Sequence, residues 1–538
     1  MYKFSSIYRV KLFEEKGFNR KVCTNCRRGY WTLQPDTSVC GDQPCVSYGF
    51  IGKSPITSVH DLDAMREKFL AFFQRRGHTR VKKYPVVARW RNDVYFVGAS
   101  IFDFQPWVTE GIIAPPANPL TISQPCVRLT DLDLVGKSGR HLTSFEMMAH
   151  HAFNTSQNKI YWTDETASYC FELFSKDLGI RPDKINFIED MWYGGGNAGE
   201  DLEVVVDGIE LATLVFMHYK NIGDKLEPLD NYTVDTGYGL ERMVWASQAT
   251  PTIYQAIFSG VLEKLRKDAG ISRPEEKLFI QASKLAGQLE LKGARALQVL
   301  RNKVAETVAM PASEVDRAMR PLESIYAIAD FTRTLVYMLG DGVVPSNMEA
   351  GYLARLLIRR TLRNLHQLKL QLPIGEIMAL QLREAFTAFP EYKEKFETIQ
   401  RMSEIEERRF KTTLERGKEV VGRFIAEAKT NREQTLTASN LAQLYDSHGL
   451  TPDFVEQIGR EVGFAVNVPD DFFGEIARLH ERANPQETPN EIEKFSRRTG
   501  NMPATQTLYY ENPYLSTFSA KVLDVLDDKY FVLDRTAF

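Results

Sequence analysis

The sequence predicts an α+β protein, and three observations carry that prediction. Residues 56–255 mix strand-like and helical patterns with aromatics and glycines. From 256 to 483 the texture changes to long helical periodicity: Phe396, Ile399, Met402, Ile405, Phe410, Leu414, Val421 and Phe424 recur amid charge as one long amphipathic helix. A cysteine-bearing unit of residues 1–55 precedes both halves, and a polar, Pro-bearing linker opens a final segment, 484–538.

The chain has 538 residues, enough for three or four domains with sizeable cores. Its 43% hydrophobic and 25% charged residues are those of an ordinary soluble globular protein. A net charge of −3 excludes a chain-wide polyanion-binding surface, so any nucleic-acid contact must use local basic patches. No apolar run approaches the roughly 20 residues a membrane span needs. The N-terminus carries charge without an apolar core, so no secretory signal is visible and a cytoplasmic location is expected.

In chain order, the first chemical feature is Cys23-x2-Cys26-x13-Cys40-x4-Cys45. Two close pairs of thiolates can meet on one tetrahedral Zn²⁺, and with sulfur at all four positions the site would be structural. Cys126 and Cys170 read as buried thiols. Next, Met65, Phe69, Phe72 and Phe73 give helical spacing, with Gly77 where a C-terminal cap belongs, and the strand-like Thr79–Val87 follows with Pro85 inside it. The segment 124–147 reads as a strand ending in Arg128, a polar loop carrying Lys137 and Arg140, and a return strand through Phe145, Glu146 and Met147. Such a hairpin gives an arginine a rigid base from which to grip phosphate or carboxylate bidentately. Val94–Phe96, Leu120–Ile122, Glu203–Val206 and Glu210–Met217 are further strand candidates, and Gly194–Gly199 reads as a glycine-rich loop. In Val234-Asp-Thr-Gly-Tyr-Gly-Leu-Glu-Arg242, the glycines Gly237 and Gly239 admit a ligand close to the backbone, Asp235 suits a cationic group, and Arg242 can point from the following helix toward a triphosphate.

In the helical half, Arg355, Arg359 and Arg363 recur at i, i+4, i+8 with Arg360 and Lys369 nearby, a basic stripe suited to RNA phosphates. Near the end, Thr507–Tyr510, Lys521–Leu526 and Tyr530–Asp534 read as alternating strands.

The order of these features, helix, Pro-bearing strand, arginine hairpin, then Gly-x-Gly-x-x-Arg, resembles motifs 1, 2 and 3 of the class II aminoacyl-tRNA synthetases. Ser123–Arg128, Thr143–Met147, Leu214–Met217 and Val234–Arg242 are similar to the alanyl group of that family, as are Ala329–Arg333, Asp341–Asn347, Gly351–Arg360, Arg409–Gly417 and Leu444–Gly449. The N-terminal cysteines and Gly194–Gly199 resemble its archaeal branch. The resemblance covers nearly the whole chain. It implies an antiparallel catalytic sheet flanked by helices in 56–255 and a mostly helical tRNA-recognition domain in 256–483. The activity implied is joining of L-alanine to tRNA(Ala) with ATP and Mg²⁺.

The roles it implies are specific. Arg128 would hold the α-phosphate and the substrate carboxylate, and Arg242 the γ-phosphate. Arg140, Phe145, Met147 and Gly239 would flank ATP, with Glu146 and Glu203 as candidate Mg²⁺ ligands. Asp235 would pair with the α-ammonium group, Trp192 would form an aromatic wall beside the side-chain pocket, Val215 would close it around a methyl group, and Thr213, in a polar role, and Gly237 would complete the alanine site. Asn347 and Asp446 would read a wobble pair of the acceptor stem. The final strands would open an editing domain that stops before its metal site, leaving no editing activity, and the chain would be monomeric, with the longer protein oligomeric through its C-terminal region. A non-catalytic, synthetase-like RNA-binding protein is the rival reading.

Overall fold

The computed structural model describes residues 6–91, 93–222, 225–272, 276–288, 294–448, 450, 452–469, 472, 498–512, 514–515, 517–527 and 530–537. Its centre is a nine-stranded sheet made of β1 (Asn19–Val22), β2 (Gly29–Thr32), β3 (Thr79–Arg80), β4 (Leu120–Val127), β5 (Ser144–Asn154), β6 (Ile185–Gly194), β7 (Asn197–Val206), β8 (Ile209–Ile222) and β9 (Lys225–Gly239). The spatial order is β1-β2-β6-β7-β8-β9-β5-β4-β3. Its pairings are antiparallel except for β3 with β4. The largely antiparallel sheet with its flanking helices agrees with the α+β expectation.

Local chemistry explains these elements. Helix α1 (Leu62–Gln74) starts at Asp61, whose carboxylate accepts from Ala64 N at 2.8 Å. It ends with Gly77 at φ +84° and a His78 N to Phe73 O bond of 3.1 Å, the left-handed C-terminal cap expected there. Its Phe69 and Phe73 lie against Tyr238 and His150 on one face of the sheet, at ring separations of 4.9 and 4.2 Å. Helix α2 (Leu240–Gln248) follows β9 directly and packs on the same side.

Several strand expectations shift. The strand over Thr79–Val87 shrinks to Thr79–Arg80, because Pro85 cannot extend the ladder. Gln124 takes over there, its Oε1 accepting from Tyr84 N at 2.8 Å and its Nε2 donating to Tyr84 O at 3.0 Å. Val94–Phe96 keeps only the isolated bridge Val87–Phe96. The glycine-rich loop is a two-residue hairpin turn: Gly195 and Gly196 have φ +58° and +85°, and two positive φ values in succession suit a tight antiparallel turn. Among the final strands, Val522–Leu526 and Tyr530–Leu533 form, but Leu508–Glu511 is a helical turn that sets the Tyr510 ring against Tyr84 and Phe104. The linker expected at 484–505 lies outside the described residues up to 497.

The helical half contains α3 (Ala312–Gly340), α4 (Glu349–Gln367), the expected long helix as α5 (Phe396–Thr430), and α6 (Ala438–His448). Helix α3 is buried along most of its length and docks on the sheet through charge. Asp330 accepts from Thr143 N at 3.1 and 3.0 Å, and Arg333 bonds Glu241 at 2.9 Å and the Ser144 carbonyl. A second buried pair continues this network: Arg66 of α1 grips Glu146 of β5 through two 2.6 Å bonds, while Glu146 N donates to Glu241 Oε2 at 3.0 Å. Removing one partner of such a pair leaves an uncompensated charge in the interior, at a cost of about 3–5 kcal/mol.

Candidate active site and cysteine centre

Side chains alternate along strands, so the register decides which residues share a face. Across β7, β8 and β9 one row pairs Asp201, Val215 and Asp235, and the next pairs Glu203, Thr213 and Gly237. Gly239 pairs with Met147 of β5, which pairs with Gln124 of β4. Asp235, Gly237, Gly239, Thr213, Val215, Phe145 and Met147 therefore lie on one face, opposite the face covered by α1 and α2. Arg128, just past β4, and Arg242, in the first turn of α2, stand at its margin.

Arg128 is held by Nε donating to the Gly98 carbonyl at 2.8 Å, with its guanidinium 4.9 Å from the Phe145 ring centroid. Arg128 as a residue remains exposed. Arg242 bonds Glu210 Oε2 at 2.7 Å and the Glu210 carbonyl at 3.2 Å, with 49% of its side chain exposed. Glu210 also receives the Thr213 hydroxyl at 2.6 Å. Arg140 donates to Tyr48 Oη at 3.2 Å, and Tyr48 packs on Trp245 of α2, so this arginine belongs to the Arg242 side of the cleft. Lys137 points instead toward the helical half, near Asp133 and Glu323.

Asp235 is buried, and burial pushes its carboxyl up to about 7. His151 Nδ1 lies 3.5 Å from its Oδ1. Val215 belongs to an apolar cluster that also takes in Met147 and Trp192. A Cβ on Gly237 would sit 3.0 Å from Met147 Sδ, so a larger residue there would press on the methionine of the neighbouring strand. The Trp192 ring lies over Gly194, where a Cβ would meet it at 2.4 Å. Gln105 bonds Asn197 Oδ1 at 2.6 Å and the Gly194 carbonyl at 3.1 Å, fixing the hairpin beside the pocket.

Two residues escaped the sequence reading. His151 sits two alternations along β5 from Met147, and strand parity places it on the site face. Glu210 opens β8 three residues before Thr213, and only the fold brings it to Arg242. The Mg²⁺ expectation for Glu146 is corrected: both its oxygens are taken by Arg66, inside the core. Glu203 ion-pairs with Arg28, while burial and the Glu210 charge push its carboxyl up to about 7.

The four cysteines of the N-terminal unit converge. Their sulfurs all lie within 4.8 Å of one another, with Cys23–Cys45 at 3.7 Å and Cys26–Cys40 at 3.8 Å. Four sulfurs bound to one ion at about 2.3 Å define a tetrahedron with edges of about 3.8 Å, so the donor set fits. Burial opposes ionisation of Cys23, but the backbone N–H groups of Cys26, Cys40 and Asn25 outweigh it and bring the thiol down to about 6. The hairpin that carries Cys23 and Cys26 is β1–β2, which pairs with β6; the cysteine unit is an edge of the main sheet.

In the helical half the expected basic stripe needs correction. Arg359 is only 8% exposed, its guanidinium 5.8 Å from the Phe410 ring of α5. Arg355 is 13% exposed and binds Glu406 of α5 at 2.7 Å. Arg363 is half-buried, and burial, with Arg360 beside it, lowers its guanidinium to about 10. Arg355 and Arg359 face α5, where Glu406 takes the first guanidinium and the Phe410 ring meets the second; an arginine stem packs there as an aliphatic chain would. Arg355 nonetheless donates to the Asn347 side chain, an exposed residue before α4. Asp446 lies in α6, and its side chain is outside the described residues.

The family model described as tRNA synthetases class II (A) matches residues 64–538. The chain belongs to this family. The synthetase chain is 49% identical over 98% of its length to an alanine–tRNA ligase of Thermofilum pendens, and 48% identical over 99% and 98% to those of Pyrococcus furiosus and Pyrobaculum arsenaticum. It spans 58–60% of the length of these curated relatives. Among its described residues, no helix is long and apolar enough to cross a membrane.

Proposed function

We propose that this chain activates L-alanine with ATP and transfers it to the 3′ end of tRNA(Ala). The observation that supports this most directly is the gathering of Arg128, Asp235 and Arg242 around one face of the sheet, with Val215 and Trp192 forming a small apolar wall between strands. The relatives named above add support through their names.

In the first step an alanine carboxylate oxygen attacks the α-phosphorus, and the bond to pyrophosphate breaks. Arg128 faces the charge that builds there, and Arg242, steadied by Glu210, draws the γ-phosphate and the departing pyrophosphate. Fixed cations in a partly dehydrated cleft need little reorganisation as charge moves, which is how such a site accelerates the step. Asp235 anchors the ammonium group. In the second step a hydroxyl at the tRNA terminus attacks the alanyl carbonyl and AMP leaves. Mg²⁺ would neutralise the triphosphate, with Glu203 and Glu210 as the carboxylates placed to hold it. Zn²⁺ would be held by Cys23, Cys26, Cys40 and Cys45, where it cross-links the sheet edge. Asn347, exposed and with its amide oxygen accepting from Arg355, would meet an acceptor-stem base edge together with Asp446.

The test is ATP–pyrophosphate exchange with alanine, serine and glycine in turn, followed by charging of tRNA(Ala) and of a transcript with its acceptor wobble pair replaced. Alanine-dependent exchange and loss of charging on the altered transcript are expected. The pocket cannot reject serine or glycine strongly, since one hydroxyl or methylene changes binding by about 1–3 kcal/mol, so both support measurable exchange. Absence of any alanine-dependent exchange from the zinc-loaded protein would overturn the reading in favour of a non-catalytic RNA-binding role.

A further inference from the structure

We propose that His151 is the positioning residue for Asp235, holding one carboxylate oxygen so that the other meets the amino-acid ammonium group, with Ser100 fixing the imidazole tautomer. The inference rests on the alanine-activating reading above and adds to it a residue that no sequence motif singled out.

The geometry begins with register. Met148 pairs with Tyr238 and Ala152 with Val234, which sets His151 of β5 opposite Asp235 of β9 on the site face. The His151 ring is fully buried. Its Nδ1 lies 3.5 Å from Asp235 Oδ1, just beyond hydrogen-bond length, and makes no hydrogen bond. A buried ring nitrogen without a partner is costly, and the only carboxylate beside it among the described residues is Asp235. On the other side of the ring, Nε2 lies 3.2 Å from Ser100 Oγ.

These contacts determine where the hydrogen sits. Burial keeps the imidazole neutral down to about 3, so the ring carries one N–H and one acceptor nitrogen. An ionised carboxylate can only accept, which assigns the hydrogen to Nδ1 and leaves Nε2 to accept from the Ser100 hydroxyl. The Val234 carbonyl is a further acceptor near the ring. Ser100 is itself tied to the site strand, its backbone N–H pointing at Met147 Sδ at 3.4 Å. When an ammonium group draws Asp235 into its ionised form, a shift of a few tenths of an ångström closes the Nδ1–H···Oδ1 bond. The imidazole then supplies the second contact that a buried carboxylate needs to stay charged.

A core histidine that merely fills space between Phe104 and Phe153 predicts something different, and two substitutions separate the cases. His151→Phe keeps the volume and removes the donor, whereas His151→Asn retains an N–H near the position of Nδ1. In ATP–pyrophosphate exchange with the full chain, His151→Phe is expected to raise the alanine KM about tenfold with the ATP KM within about twofold of wild type, the loss of one hydrogen bond to a charged group. His151→Asn is expected to recover most of that loss. Ser100→Ala, which leaves the ring in place, is expected to raise the alanine KM by a few-fold and serves if the phenylalanine variant does not fold. An unchanged alanine KM in the folded variants, or equal rises for alanine and ATP, would overturn the proposal while the alanine reading stands. No exchange in the wild-type chain would instead overturn that reading itself.

Discussion

The sheet site and the helical basic face began as the same kind of inference, arginines at telling spacings, and they came out differently. On the sheet, Arg128 and Arg242 remain exposed, each tied by a carbonyl or carboxylate that aims it. On α4, Arg355 and Arg359 are drawn into the seam with α5, one onto Glu406 and the other beside Phe410. The lesson is about periodicity. A strand ladder has two faces, and once helices cover one, the other is the site. A helix presents a continuous surface, so an i, i+4, i+8 row identifies a stripe without saying whether solvent or a neighbouring helix meets it. Arginine makes the ambiguity worse, because its long stem packs as well as any aliphatic side chain.

The comparison can be broken most sharply at Arg242. Replacing it with alanine should reduce exchange by about 10²–10³-fold, the usual range for losing one fixed charge-stabilising group, without a large fall in melting temperature. Arg359→Ala should behave in the opposite way: it should cost about 1–3 kcal/mol of stability in denaturant titrations while leaving alanine activation near wild type. If Arg359→Ala instead weakened tRNA charging at full stability, the buried placement would be the wrong account of the stripe.

A smaller effect concerns pH. Asp235 titrates near 7 when no amino acid is bound, and only its ionised form attracts an ammonium group. Alanine binding should therefore weaken as pH falls through 7, with an alanine KM at pH 6 roughly tenfold above that at pH 8. His151, held neutral down to about 3, adds no charge change in that interval. The same shift has the reverse sense for stability. The carboxyl rises from 3.8 to about 7 on folding, so its contribution to the ligand-free protein is fullest below about 4 and is lost as pH rises through 7. An alanine KM that is flat between pH 6 and 8 would count against Asp235 as the ammonium partner. Smaller still is Val215→Ala, which should cost activation by about 1 kcal/mol through loss of apolar contact while leaving ATP binding unaltered.

What the chain revealed in advance follows the same physics. The arginine hairpin, the helix α1 with its cap at Gly77, the long helix α5 and the Gly-x-Gly turn into α2 were all legible, because each is specified by residues close in sequence. The Gly195–Gly196 turn was legible too, had two adjacent glycines between alternating runs been read as a hairpin instead of a loop. Glu210, His151 and the Arg66–Glu146 and Arg333–Glu241 pairs were not, since each acquires its meaning from a partner tens of residues away. Glu146 shows the cost of reading locally: its neighbours suggest an ATP-side ligand, while strand parity sends it into the core beneath α1. The convergence of the four cysteines was legible, but nothing in their spacing told that their hairpin would join the main sheet.

A metal ion held by the four cysteines would make that junction a guard against aggregation. Strand β6 is paired on its outer side, among the described residues, only through Tyr30–Ile188 and Trp31–Phe187, within the hairpin that carries Cys23 and Cys26. Stripping the ion or oxidising the sulfurs would release that hairpin and expose β6, with Phe187 and Ile188, as a bare backbone edge ready to pair with another chain. Chelation is then expected to show first as time-dependent turbidity and loss of soluble protein, before the chemistry at the far strands is touched.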